Sequence, residues 1–241
     1  MSLPNNSPPL EESARKRKPI LCYVTDRRTF ADPRQGEQFE LLLEKIAALA
    51  SAGVDWIQIR EKDLSGKAIA ALTHHSLQLV SQHTSPAIGT RLLVNDRLDV
   101  ALAERAHGVH LGENSLPVSE AKRLVAASRA AQNPAGDFLV GVSCHSLESA
   151  KSAAKSGADY IFFGPIFATP SKAAYGAPQG LQRLAEICAA LSIPVLAIGG
   201  ITLENISSCL AAGASGIAAI RLFQDASQPV SIVRAIRQQV P

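Results

Sequence analysis

The sequence predicts a single closed (β/α)8 barrel, and three observations carry that prediction. Four times a small-residue helix end runs into a short apolar strand: Ser51-Ala-Gly-Val-Asp-Trp-Ile-Gln-Ile-Arg60, Arg105-Ala-His-Gly-Val-His-Leu111, Ser156-Gly-Ala-Asp-Tyr-Ile-Phe-Phe-Gly164 and Ala212-Gly-Ala-Ser-Gly-Ile-Ala-Ala-Ile220. Glycine accepts the left-handed conformation that ends a helix, and the β-branched and aromatic run after it suits a strand buried on both faces. Strand and helix then alternate eight times, which closes a barrel, whereas a doubly wound sheet usually stops at five or six strands. The 241 residues match the usual size of that architecture, roughly 250. With 46% apolar but only 5% aromatic residues, the core is one of Ala, Leu, Val and Ile.

The units follow in order along the chain. The first strand is 20–25, and after the loop with Asp26 and Asp32-Pro33 a helix covers about 37–52. The second strand is 54–60, and Ile69, Leu72, Leu77 and Val80 set the apolar face of a helix over about 65–82. The third strand, 91–95, a short helix, 98–105, and the fourth strand, 108–111, come next. Pro117 opens a helix to about 131, where its missing N–H costs nothing. Strand five is 138–142, and Ser146, Glu148 and Ser149 start a helix that stops at Ser156-Gly157 before strand six, 160–163. An irregular loop, 164–180, interrupts the rhythm, and such a loop is more often functional than idle. A helix to about 191, strand seven at 194–198, a helix over 203–212, strand eight at 216–220 and a closing helix over 229–239 complete the count.

Residues 1–19 are polar and carry the basic run Arg15-Lys-Arg-Lys18, which holds much of the formal charge of +3. They are read as a disordered tail outside the barrel of 20–241, with no apolar segment of signal-peptide type. A solvated tail is favoured over a polyanion-binding arm, so nucleic acid is not an expected partner. No stretch approaches the roughly 18 unbroken apolar residues of a membrane span, and a cytoplasmic protein is expected. Cys22, Cys144, Cys188 and Cys209 are far apart and lack CxxC spacing, which argues for reduced thiols rather than zinc or disulfides.

In such a barrel chemistry sits where the strands end. Gln58, Arg60 and Lys62 alternate after the second strand and project to one side. Unpaired buried charge is costly, so either an anion sits there or a salt-bridged layer with Glu61 or Asp96 does. Asn95-Asp96 ends strand three beside those cations, a place for Mg²⁺ next to a diphosphate, since Mg²⁺ takes few protein ligands and completes its shell with water and phosphate. Asp99 is one turn further and is equally suited to capping a helix. Gly199-Gly200 after strand seven and Ile220-Arg221 after strand eight match the general phosphate site of these barrels. Thr169, Ser171 and Lys172 bring hydroxyls and a cation to the irregular loop, and His145 is either an acid–base group or a cap for the next helix. Two anionic groups in one cavity suggest transfer between phosphorylated small molecules.

Gln58-Ile-Arg-Glu-Lys62, Val94-Asn-Asp96, Gly108-Val-His-Leu-Gly112, Gly141-Val-Ser-Cys-His145, Gly164-Pro-Ile-Phe-Ala-Thr-Pro-Ser-Lys172 and Ala197-Ile-Gly-Gly-Ile201, in this order, resemble the thiamine-phosphate synthase family over about residues 20–223. The resemblance implies a Mg²⁺-dependent transferase that joins a hydroxymethylpyrimidine diphosphate to a thiazole phosphate. It implies that Gln58, Ile59, Arg60, Glu61 and Lys62, with Asn95, Ser143 and Lys172, hold the pyrimidine diphosphate. Thr169, Pro170, Ser171, Gly199, Gly200, Ile220 and Arg221 are the implied thiazole-phosphate contacts, and Arg60, Lys62, Lys172 and His145 the implied catalytic groups. Asp96 is the implied metal ligand. Ser115 stands where the family commonly has a second metal carboxylate, with Glu113 an alternative ligand, and Arg221 stands where the family usually has Ser. A sister group, the thiazole tautomerases, shares several of these motifs, and a non-catalytic phosphate-binding barrel is a further alternative. Homo-oligomerisation is left open.

Overall fold

A computed structural model describes residues 18–30, 37–83, 89–130, 138–169 and 177–239. Expectations that fall on 1–17 and on 170–176, among them Pro170, Ser171 and Lys172, lie outside those residues. Eight parallel strands form a closed barrel in sequence order: β1 Ile20–Val24, β2 Trp56–Ile59, β3 Arg91–Asn95, β4 Gly108–Leu111, β5 Leu139–Cys144, β6 Tyr160–Phe163, β7 Val195–Ile198 and β8 Gly216–Ala219. Closure is made by β8 on β1, with Ile20 opposite Gly216 and Tyr23 opposite Ala219.

Helices α1 (Gln38–Ser51), α2 (Gly66–His83), α3 (Leu98–Ala103), α4 (Val118–Ala130), α5 (Leu147–Lys155), α6 (Gly180–Ala190), α7 (Ile206–Ala211) and α9 (Pro229–Gln238) follow the strands as expected. Ser146 and Ser149 form a reciprocal capping box at α5, which satisfies donors that a helix start otherwise leaves open. Two elements are absent from the expectation: a 3-10 turn η1 (Arg27–Thr29) after β1 and a four-residue helix α8 (Arg221–Gln224) after β8. Neither is longer than about one turn, too short for an apolar repeat to show in the sequence. Strand β5 runs to Cys144, two residues past its expected end, and so carries Ser143 in the ladder opposite Phe162.

Alternation along the strands divides the apolar residues into two cores. Outward positions such as Leu21, Ile57, Leu92, Val109 and Ile161 pack under helix residues Leu42, Ile46, Leu72 and Leu184. Inward positions Cys22, Val24, Trp56, Leu93, Tyr160, Phe162, Leu196 and Ala218 fill the barrel. Each fully buried large side chain contributes about 1.5–3 kcal/mol. Burial pushes the Cys22 thiol well above its ordinary range, and Cys22, Cys144 and Cys209 are buried and free, as expected of reduced thiols.

The barrel interior sets one sharp demand on sequence. Tyr160 lies across the position of Gly141, where an added Cβ would meet the Tyr160 ring at 2.0 Å. Gly141→Ala is therefore expected to destabilise the protein by about 3 kcal/mol in denaturant unfolding, the cost of overpacking a filled core. Gly89→Ala, where nothing lies within 4 Å of the added atom, is expected to stay within about 0.5 kcal/mol. Equal effects of the two would contradict this packing.

Candidate active site

The inward position nearest the carboxyl end of each strand lines the mouth. On β2 to β5 these are Gln58, Asn95, His110 and Ser143, all polar, whereas β6, β7 and β1 offer Phe162, Ile198 and Val24, with Ile220 just past β8. The mouth is thus divided into a polar and an apolar half.

Asp96 organises the polar half. Its backbone is left-handed, at φ 57, a conformation that Asp tolerates better than most residues. Its N–H still donates to the His110 carbonyl at 2.9 Å, so β3 stays in register while the side chain is redirected. Oδ1 accepts from the Gly112 N–H at 2.8 Å and from the Ser115 hydroxyl at 2.5 Å, and Oδ2 accepts from Asn95 Nδ2 at 3.0 Å. A carboxylate only accepts, so the Asn95 amide must turn its nitrogen to Asp96 and its oxygen to Gln58. Gln58 Nε2 donates to Asn95 Oδ1 at 2.8 Å, which leaves Gln58 Oε1 buried without a partner among the described residues. An unsatisfied buried acceptor costs about 1–3 kcal/mol, and a donor on a bound ligand would remove that cost.

Arg60 and Lys62 follow β2 into this half. Arg60 is partly buried, and burial holds its guanidinium below the ordinary arginine range. The positive charge of Arg60 is the main reason that the Lys62 ammonium is also held down, with burial second. Among the described residues neither cation has a carboxylate within the 4.0 Å of an ion pair. The self-paired layer weighed in the sequence is therefore not formed at Arg60.

Glu61 points the other way. Its carboxylate accepts from the Thr25 hydroxyl at 2.6 Å, from Arg27 Nη1 at 2.9 Å and from the Arg27 N–H at 3.1 Å. Its side chain is fully buried, so a ligand has only the main chain of Glu61 to meet. The same Arg27 clamps Asp63 through both guanidinium nitrogens at 2.8 and 2.6 Å, and this holds the Asp63 carboxyl down to about 2. Thr25 Oγ1 in turn accepts from the Arg60 N–H at 2.9 Å. Arg27, passed over in the sequence, thus fixes the loop that presents Arg60. Its signal was a charged pair, Arg27-Arg28, directly after a strand end.

Other expected residues fall around this frame. Asp99 is exposed and bidentate to Arg97 at 2.9 and 2.6 Å, and it lines the same cleft as Asp96 without joining the Asn95–Asp96 hydrogen bonds. The capping role weighed for His145 belongs to Ser146. His145 Nδ1 instead donates to the Gly164 carbonyl at 2.5 Å, joining the ends of β5 and β6, and its Nε2 then carries the lone pair. Gly199 and Gly200 have φ of 94 and 66, and added Cβ atoms would meet Pro165 at 2.5 Å and the Ala168 carbonyl at 2.7 Å. The loop that leads to Thr169 is stitched to this turn by Ile166 N–H to Ile198 O and Phe167 N–H to Gly199 O, at 2.9 and 3.0 Å. Arg221 begins α8 beside that turn, exposed, and Glu113 is exposed next to Gly112. Among the described residues no three His, Cys, Asp or Glu side chains cluster as metal ligands.

Comparison with known proteins agrees with this arrangement. A family described as thiamine monophosphate synthase matches residues 21–223. The thiamine-phosphate synthase of Roseiflexus castenholzii is 39% identical over 90% of this chain and 86% of its own length. That of Methanoculleus marisnigri is 42% identical over 81% and 86%. The solved thiamine phosphate pyrophosphorylase of Pyrococcus furiosus superposes with a TM-score of 0.75 at 30% identity, covering 93% of this chain and 96% of that one.

The uncompensated cations give a proton-linked expectation. An anion between Arg60 and Lys62 offsets the repulsion that holds the Lys62 ammonium down, so binding raises its affinity for a proton. Compared with Lys62→Arg, in which the protons of the ligand are the same, the unsubstituted protein should therefore bind inorganic diphosphate with more proton uptake, and should lose affinity more steeply as pH rises toward the lysine range of about 10. Calorimetry in buffers of different ionisation enthalpy reads the uptake, and equal uptake by the two proteins would contradict the placement of Lys62.

Proposed function

The chain belongs to the thiamine monophosphate synthase family, and from that premise we propose that it joins a hydroxymethylpyrimidine diphosphate to a thiazole phosphate, releasing diphosphate and forming thiamine phosphate. The observation that carries this reading is the Arg60–Lys62 pair, left without carboxylate partners beside the Asp96–Asn95–Gln58 chain. Three neutralising demands meet there: two cations seek an anion and a buried amide oxygen seeks a donor. A pyrimidine bearing a diphosphate supplies both.

In the reaction the bond between the pyrimidine methylene carbon and the diphosphate oxygen breaks, and its electron pair leaves with the diphosphate. The electron-rich ring supports the cationic methylene until the thiazole nitrogen donates its lone pair to that carbon. Arg60 and Lys62, with Lys172 from the loop after β6, stabilise the charge that develops on the leaving oxygens, which acts on the transition state more than on the ground state. Gln58 Oε1 accepts from a donor on the pyrimidine, Asn95 lies beside it, and Ser143 faces the diphosphate. The apolar half of the mouth receives the thiazole. Its phosphate lies on Thr169, Ser171, the Gly199–Gly200 turn and the Ile220–Arg221 main chain, and the Arg221 guanidinium adds a cation where the family usually has only a hydroxyl. No proton has to be removed from either reacting atom. His145, with Nδ1 committed to Gly164, acts as a positioned contact between β5 and β6 rather than as a base.

The residues fit Mg²⁺. Asp96 Oδ1 and the Ser115 hydroxyl converge at 2.5 Å, both hard oxygen donors, and Glu113 lies in the same loop. One carboxylate suffices when phosphate oxygens and water fill the other positions. Asp96 and Ser115 would hold the ion, which when bound neutralises diphosphate charge. Small molecules are thus the expected partners, and no helix among the described residues is long and apolar enough to cross a membrane.

Purified protein given both substrates and Mg²⁺ is expected to form thiamine phosphate and diphosphate in equal amounts. Absence of product from a folded sample would overturn the proposal. Asp96→Ala is expected to lower turnover by about 100-fold or more, the usual loss of a group that stabilises developing charge. Asp99→Ala, which breaks only an exposed pair with Arg97, should stay within about threefold. Equal small effects would remove Asp96 from the reaction.

A further inference from the structure

Beneath the polar half of the mouth lies a chain of groups that the transfer reaction does not itself use. Tyr160 is fully buried, with its hydroxyl 3.1 Å from His110 Nδ1, and His110 is 2% exposed, with Nε2 2.9 Å from the Ser143 hydroxyl. Trp56 and Phe162 pack against the Tyr160 ring, and Phe162 also stacks on His110 with ring centroids 4.1 Å apart. Only Ser143 reaches the mouth, being partly exposed at the end of β5.

Two hydrogen-bond orders fit these distances. A neutral imidazole carries one N–H, so His110 donates either through Nδ1 or through Nε2. With the proton on Nδ1, His110 donates to the Tyr160 oxygen and Ser143 donates to Nε2. The Tyr160 O–H is then left with no acceptor, since His110 is its sole partner among the described residues. With the proton on Nε2, Tyr160 donates to Nδ1 and His110 donates to Ser143, so every buried donor is satisfied. The second order is preferred because an unpaired buried donor is costly. Full burial with no carboxylate among its hydrogen-bond partners keeps the ring neutral in either order, so the Tyr160 proton decides between them.

We infer that Tyr160 and His110 are positioning residues that fix the donor order Tyr160→His110→Ser143 and so leave the Ser143 O–H free to donate to an oxygen of the bound diphosphate. His110 occupies one of the two lone pairs of Ser143, and the Ser143 O–H, not being spent on His110, is free to turn toward an acceptor in the mouth. Gly141 is part of the same device, since its missing side chain is what lets Tyr160 lie under His110. The identity of the anion rests on the function proposed above, whereas the donor order does not.

The test is nitrogen NMR of the full chain labelled with 15N-histidine, free and with inorganic diphosphate and Mg²⁺. The expected free state has His110 protonated on Nε2 alone, unchanged across pH 5 to 8 and unchanged by the ligand. Protonation on Nδ1 would overturn the inference, because Ser143 would then have to donate inward. Ser143→Ala should weaken diphosphate binding about tenfold. Tyr160→Phe should weaken it severalfold, and the double variant should bind no more weakly than Ser143→Ala alone, as required if Tyr160 acts through Ser143. Additive losses would overturn the relay. The Nε2 tautomer in a chain that binds no diphosphate would uphold the donor order and remove the proposed function instead.

Discussion

A closed parallel barrel admits only alternate residues of each strand to its interior, and whatever stands there must be packed, hydrogen-bonded or met by a ligand. In the layer nearest the strand ends, Gln58, Asn95, His110 and Ser143 stand on four consecutive strands, and their hydrogen bonds decide what the mouth can receive. Most of this polarity is internally satisfied. Among the described residues what is left over is small and specific: one amide oxygen on Gln58, one hydroxyl proton on Ser143 and two cations on Arg60 and Lys62.

These leftovers have opposite origins. Asp96 can only accept, so its carboxylate propagates an acceptor through Asn95 to Gln58. Tyr160 has a proton that needs a home, so it propagates a donor through His110 to Ser143. Each chain begins at a group with no choice and ends at the mouth. The cations depend on a third arrangement behind them, in which Arg27 occupies the Glu61 carboxylate and Arg28 the Asp26 carboxylate, two of the charges that act on Arg60. A buried ion pair is a weak source of stability, and here its consequence is to keep Arg60 unpaired.

The barrel was legible because its strands and helix ends repeat, and repetition survives single exceptions. The cationic strand end was legible for a related reason: Gln58, Arg60 and Lys62 violate the apolar pattern that a barrel strand otherwise keeps. Glu61 was not, since sequence gives its proximity to Arg60 but not that its side chain points outward to Arg27 on a three-residue turn too short to announce itself. The donor order at Ser143 was hidden too, because it depends on Tyr160, fifty positions from His110 and without motif character. The partner of His145 was hidden for a comparable reason, being the Gly164 carbonyl just past the end of the next strand. Departures from the family pattern at Ser115 and Arg221 were visible as letters, but only the structure shows that the Ser115 hydroxyl donates to Asp96 at 2.5 Å.

If the cations of the mouth are held apart from protein carboxylates so that a diphosphate can neutralise them, a crystal structure with inorganic diphosphate and Mg²⁺ will have diphosphate oxygens on Arg60 and Lys62, within reach of the Ser143 hydroxyl, with Arg27 still clamping Glu61 and Asp63. Arg60 paired to Glu61 or Asp96, with the diphosphate elsewhere on the surface, would contradict that separation.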